Sequence, residues 1–154
     1  MTLVGGIHHV AFLTADLDRL IAFYERIFDA RVTLDRADGD RRHALIEIGH
    51  HTFLHPFQVP EAEVPGRAPM LERGRLDHFA LNATSEEAFR EICRRLIAEG
   101  ANSTEGGLVT DMGSALSFTF YDPDDAWHEV MWVKLDAPAD GLKPPSEWKM
   151  VELD

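Results

Sequence analysis

The sequence predicts an α+β fold in which one strand–helix–strands unit is written twice, and three observations carry that reading. Ile7-His8-His9-Val10-Ala11-Phe12-Leu13 and Leu76-Asp77-His78-Phe79-Ala80-Leu81-Asn82 are both short apolar segments with histidine third and alanine fifth. Each reads as a strand of about seven residues. Apolar helical positions then fall 11, 14 and 18 residues after each histidine: Leu20, Phe23 and Ile27, then Phe89, Ile92 and Leu96. Strand-like segments follow each helix, so the same plan is performed twice.

The first helix carries the stripe Leu17, Leu20, Ile21, Tyr24, Ile27 and Phe28, which is one face at helical spacing. The second carries Phe89, Ile92, Cys93, Leu96 and Ile97, with Gly100 as its stop. Thr84 and Glu87 stand at capping-box spacing and predict the start of that helix. The later strands are predicted over residues 31–34, 44–48 and 52–57, then 108–109, 116–121 and 127–133. Turns fall at Ala37-Asp38-Gly39-Asp40, at Gly49 and at Asp122-Pro123-Asp124-Asp125.

This gives a first βαβββ module over residues 5–58 and a second over 75–134. Residues 59–74, with Pro60, Pro65 and Pro69, read as a linker. Residues 135–154 form a tail whose Trp148 and Met150 suggest docking on the surface or on a partner chain.

Composition bounds the function. The 154 residues are 45% hydrophobic, enough for a packed core, and carry a formal charge of −12. An acidic surface repels phosphate backbones and anionic membranes, so neither nucleic acid nor membrane is an expected partner. No apolar run approaches the ~20 residues of a membrane span, and the first residues lack the basic and apolar regions of a signal peptide. Cys93 is the single cysteine. It precludes an internal disulfide, fits the cytoplasm and reads as buried filler.

The chemistry rests on histidines and one glutamate. Strand alternation puts Ile7, His9, Ala11 and Leu13 on one face, and Leu76, His78, Ala80 and Asn82 on its counterpart. The last strand, Trp127-His128-Glu129-Val130-Met131-Trp132, is strongly apolar with a carboxylate inside it and no lysine or arginine alternating with that carboxylate. A buried glutamate must be paired, protonated or bound to a metal. His55 in Thr52-Phe53-Leu54-His55-Pro56-Phe57 matches Glu129 when the turns before them are aligned. His9, His55, His78 and Glu129 are therefore the candidate metal ligands. Glu129, His55 and His51 are the candidate acid–base groups, with His51, in the turn, also a reserve ligand. His128 points to the opposite face, and His43 reads as a surface residue. Three imidazoles and a carboxylate suit Fe, Zn, Mn, Ni or Co rather than calcium or magnesium, and leave a position open for water or substrate.

Ile7-His8-His9-Val10-Ala11-Phe12, Asp16-Leu17 and Phe23-Tyr24, together with the second histidine segment and Asp122-Pro123-Asp124-Asp125-Ala126-Trp127-His128-Glu129, resemble the vicinal oxygen chelate superfamily of glyoxalases, bleomycin-resistance proteins and extradiol dioxygenases. The resemblance spans about residues 5–134. It implies paired βαβββ modules forming a curved open sheet around a metal, with ligands on the first and last strands of each. It also implies a homodimer, and bidentate chelation of a small oxygen-rich substrate by a divalent metal ion that serves as a Lewis acid or activates dioxygen.

Two departures narrow this. Asp125 stands where the family usually has glycine, and aspartate tolerates a left-handed backbone. Extradiol enzymes carry a histidine and a tyrosine before the final glutamate; here no histidine lies between His78 and His128, and Thr119 holds the tyrosine position. A lyase or isomerase working by proton transfer is thus the first expectation. An Fe(II) extradiol-type dioxygenase is the second, and a non-catalytic antibiotic-binding protein the third. If the modules swap between chains, His9 and His78 serve different cavities.

Overall fold

The computed structural model describes residues 3, 6–39, 41–59, 76–134 and 141–153. The predicted linker, apart from Val59, lies outside the described residues, as do residues 135–140 of the tail. The chain divides into two compact units, Met1–Ala68 and Pro69–Asp154.

The first unit runs β1 (His9–Thr14), α1 (Leu17–Phe28), β2 (Arg31–Asp38), β3 (Arg41–Gly49) and β4 (Thr52–Gln58). Its four strands lie in the order β1-β4-β3-β2, with β1 parallel to β4 and the other pairs antiparallel. The Asp16 carboxylate caps α1 by accepting from the Arg19 amide at 3.0 Å, and Asp29 ends it in the left-handed region at φ 52°. The face the helix buries is Leu17, Leu20, Phe23, Tyr24 and Ile27. It packs on the inward residues of the sheet, among them Ala44, Ile46 and Leu54, which are fully buried. The opposite sheet face, bearing His9, Ala11 and Leu13, is open.

The second unit runs β5 (Ala80–Asn82), α2 (Glu86–Glu99), β6 (Val109–Asp111), β7 (Ala115–Tyr121), β8 (Trp127–Val133) and β9 (Lys149–Val151). The sheet order is β5-β8-β7-β6-β9, with β5 parallel to β8. Strand β9 comes from the tail and pairs antiparallel with β6. Phe89, Cys93 and Leu96 of α2 are fully buried, as are Phe120 and Val130 of the sheet. Burial pushes the Cys93 thiol up to about 12, which fits a packing role for this residue.

Several local expectations are corrected. The N-cap of α2 is Ser85, whose hydroxyl accepts from the Ala88 amide at 3.1 Å, not Thr84. Serine wins because its short side chain folds back on the first turn, while Thr84 sits one residue too early. The first hairpin is longer than its apolar pattern, because β2 and β3 continue through polar residues to a turn at Gly39, φ 60°. The predicted seven-residue strand around His78 is a regular strand only over Ala80–Asn82; its extension survives through the Glu129 amide, which donates to the Phe79 carbonyl at 3.0 Å. Val130 of the last strand is core. Gly100 ends α2 at φ 73°, and Asp125 adopts φ 62° in the closing turn, both as the sequence predicts.

Candidate metal centre

Register explains how each module presents its chemistry. In the first, Ala11 on β1 pairs with His55 on β4. In the second, Ala80 on β5 pairs with Glu129 on β8. Both alanines lie two residues after the strand histidine, so His55 occupies in its module the place Glu129 holds in the other. The small alanine leaves room on the open face for the side chain opposite, because residues of one parity share a face.

In the second module His78 Nε2 lies 3.5 Å from Glu129 Oε2. The Asp77 carboxylate sits 3.0 Å from His78 Nδ1. An ionised carboxylate only accepts, so Nδ1 donates to Asp77, and in a neutral ring this leaves the Nε2 lone pair facing Glu129. Two acceptors facing each other need a cation between them, either a second proton or a metal ion. The spacing suits a metal: donor atoms each ~2.1 Å from one ion stand ~3.5 Å apart at an angle of about 110°, near the tetrahedral value. Glu129 is 8% exposed, and its Oε1 accepts from the hydroxyl of Ser117, itself 2% exposed. Trp127 closes one side of His78, with ring centroids 4.5 Å apart. Thr119 stands directly across from Glu129 and is hydrogen-bonded to Ser103.

His128 points to the other face, as its parity requires. It is buried against Phe79, with ring centroids 4.0 Å apart, and lies 3.4 Å from Asp122. Asp122 also accepts from the amides of Asp124 and Ala126 at 2.9 Å. The closing turn is therefore pinned from inside, which fixes where β8 begins and hence where Glu129 falls.

In the first module the rings of His9 and His55 stand 5.3 Å apart. His55 Nε2 is hydrogen-bonded to His43 Nδ1 at 2.9 Å. This leaves Nδ1 as the His55 nitrogen able to bind a metal. Burial holds the His55 pKa below the usual histidine value, and the charges of His43 and His9 act in the same direction. His8 Nδ1 lies 2.9 Å from His9 Nδ1. His51 is in the turn at φ 58°, exposed, with its ring against His50 at 4.1 Å. No contact brings it to His9 or His55.

Among the described residues no three histidine, cysteine or carboxylate side chains converge tightly enough to hold a metal ion. Each module thus holds one pair of its own: His78 with Glu129 in the second, and His9 with His55 in the first. The sequence reading missed Asp77, Ser117 and His43. Asp77 was visible as the neighbour of a candidate ligand. Ser117 and His43 were legible only through β-register, since each contacts a residue 12 positions away. His43, expected at the surface, is half-buried and stacked on Phe57 at 5.2 Å.

Each of the two α+β modules thus presents a strand histidine beside the last-strand residue that faces it. A family model described as the Glyoxalase/Bleomycin resistance protein/Dioxygenase superfamily matches residues 6–130, and the chain belongs to that superfamily. Comparison with curated proteins gives no match. Among solved structures, a glyoxylase/bleomycin resistance protein/dioxygenase domain from Frankia sp. EAN1pec is 20% identical with a TM-score of 0.69, covering 85% of this chain and 99% of that one. The fosfomycin resistance protein FosX from Mesorhizobium loti is 21% identical, with a TM-score of 0.59 and coverage of 83% and 91%. FosX from Listeria monocytogenes, complexed with Mn(II) and sulfate, is 20% identical, with a TM-score of 0.61 and coverage of 87% and 97%. These likenesses show the glyoxalase-type fold.

Proposed function

We propose that this chain is a divalent-metal enzyme that chelates two neighbouring oxygens of a small molecule and moves a proton on it, as a lyase or isomerase. The observation that carries the reading is the 3.5 Å approach of His78 Nε2 to Glu129 Oε2, with the remaining nitrogen of His78 and the remaining oxygen of Glu129 already engaged. His78 and Glu129 would hold the ion, and His9 and His55 are the further candidate ligands that the sequence offers. Manganese is the first metal to test, since it is bound by the FosX relative. A bound divalent ion would supply Lewis acidity toward the substrate oxygens.

The chain's own groups do the rest. Burial lowers the His55 pKa, which favours the neutral imidazole, the form able to accept a proton. Its hydrogen bond to His43 gives that proton a way out toward the sheet surface. Trp127 offers an aromatic wall, and Thr119 and Ser103 offer hydroxyls.

The substrate we infer is uncharged apart from its chelating oxygens. Another FosX structure is complexed with Mn(II) and a dihydroxypropylphosphonic acid, and a phosphonate calls for cationic side chains. Strands β1, β4, β5, β7 and β8 contain no lysine or arginine. Thr119 across from Glu129, where an extradiol enzyme would have tyrosine, favours proton transfer over ring cleavage. The test is metal analysis of protein purified without chelator, followed by proton exchange and isomerisation assays on hemithioacetals, 2-oxo acids and acyl thioesters, with fosfomycin and catechols alongside. Stoichiometric metal with turnover of the first group supports the reading. Metal-free protein, or turnover of fosfomycin or oxygen uptake with catechols, overturns it.

A further inference from the structure

The contacts around the two pairs repeat, module for module. In the second module the residue before the strand histidine, Asp77, binds His78 Nδ1 at 3.0 Å. In the first, the residue before the strand histidine, His8, meets His9 Nδ1 at 2.9 Å. Ser117 on β7, in register with Met131, reaches diagonally to Glu129. His43 on β3, in register with Phe57, reaches by the same diagonal to His55 at 2.9 Å. Since Met131 and Phe57 each lie two residues beyond the residue contacted, Ser117 and His43 hold one structural position.

We propose that these two positions are positioning sites, and that Asp77 and Ser117 set the geometry with which His78 and Glu129 bind a divalent metal ion. The inference rests on the metal reading of the site. Asp77 fixes the tautomer of His78, so that Nε2 carries the lone pair and the ring cannot flip. Ser117 ties down Oε1 of Glu129, so that Oε2 alone faces the ion and the carboxylate binds through one oxygen. A ligand whose orientation is fixed beforehand loses less freedom on binding, and removing such a partner typically weakens metal affinity about 10–100-fold. The last-strand residue changes from carboxylate to imidazole between modules, and the supporting side chain changes with it: a hydroxyl that donates to the carboxylate, an imidazole that shares a proton with another imidazole. A side chain that merely filled space would not track its partner's hydrogen-bonding type.

The experiment measures Mn(II) affinity of the full chain by calorimetry, the Mn(II) electron-paramagnetic spectrum, and the apo unfolding midpoint. Ser117→Ala and Asp77→Ala should each weaken binding about 10–100-fold and alter the spectrum, with the apo midpoint little changed. Ser117→Thr restores the hydroxyl and Asp77→Asn restores an acceptor, so both should bind within about threefold of the parent. Ser117→Ala deletes a single oxygen, and the proposal stands on it should Asp77→Ala fold poorly. Parent-like affinity and spectrum in Ser117→Ala overturn the positioning role while leaving the metal site intact. A parent chain that binds no Mn(II) or Zn(II) overturns the metal reading, and this inference with it.

Discussion

The two modules share a frame and differ in what they hang on it. Register places His9 and His55 in the first where it places His78 and Glu129 in the second. Yet the first pair is two imidazoles with ring centroids 5.3 Å apart, one with its Nε2 committed to His43. The second is an imidazole and a carboxylate with facing atoms 3.5 Å apart. The positions are equivalent; on the metal reading proposed above, the second pair is the stronger chelate and the first is closer to an acid–base group beside a single ligand. A carboxylate brings the charge that balances a divalent ion, whereas a second imidazole brings only a lone pair. The comparison therefore ranks the four residues, with Glu129 and His78 first, His9 next and His55 last.

Metal affinity is where that ranking is most exposed. Glu129→Gln should lower Mn(II) affinity by more than about 100-fold, which exceeds the effect of losing a supporting partner. His9→Ala should approach the same loss if the ligand set draws on both modules. His55→Ala should cost less affinity but more turnover. Titration calorimetry on the three variants reads this directly. Equal losses for His55→Ala and Glu129→Gln would make the modules equal contributors and end the ranking.

The cores invite a second comparison. Ile27 in α1 and Leu96 in α2 occupy matched repeat positions and are both fully buried. Replacing either by alanine should destabilise by about 2–5 kcal/mol. Thermal unfolding followed by calorimetry then shows whether the modules are coupled. A single transition lowered by either variant means they unfold together. Two transitions, each answering to one variant, mean that the duplicated units keep independent stability.

Cys93 breaks the symmetry in another way, since the corresponding position of α1 is Tyr24. Its thiol is raised from 9.0 to about 12 by burial. Below pH 9 the folded and unfolded thiols are both protonated, and the residue adds no pH dependence. Above pH 9 the unfolded thiol ionises first, so the unfolded state binds fewer protons and stability falls as pH rises toward 12, at up to about 1 kcal/mol per pH unit. Denaturant melts from pH 8 to 10.5 should show that slope, and Cys93→Ala should flatten it. A thiol reagent should label the residue only on unfolding; rapid labelling of the native chain would contradict its burial.

The duplicated plan was legible because it depends on local signals. Helical stripes, two strand histidines at the same offset, Gly100 and Asp125 are readable one element at a time, and β-parity alone placed His128 away from Glu129. What could not be read was lateral. Ser117 and His43 act across neighbouring strands, and cross-strand register is not written in either strand alone; in β3–β4 it even shifts between Glu47 and Gly49, which no local pattern announces. The strand around His78 also looked longer than it is, since its apolar run continues where regular pairing does not.

The smallest effect separates the two helix starts, where the sequence misjudged one cap by a residue. Asp16 and Ser85 each bind the amide three residues on, at 3.0 and 3.1 Å. Alanine at either should cost about 1 kcal/mol, since one of the first-turn amides loses its partner. Asp16 carries a charge near the positive end of α1, which adds a few tenths of a kcal/mol at low salt and should fade as salt rises; neutral Ser85 should show no such salt dependence. Thr84→Ala is the control, because Thr84 is exposed and outside the cap. Chemical denaturation of the three variants at low and high salt resolves the order Asp16, Ser85, Thr84. If Thr84→Ala cost as much as Ser85→Ala, α2 would begin one residue earlier, and the capping-box reading of its sequence would be the better one.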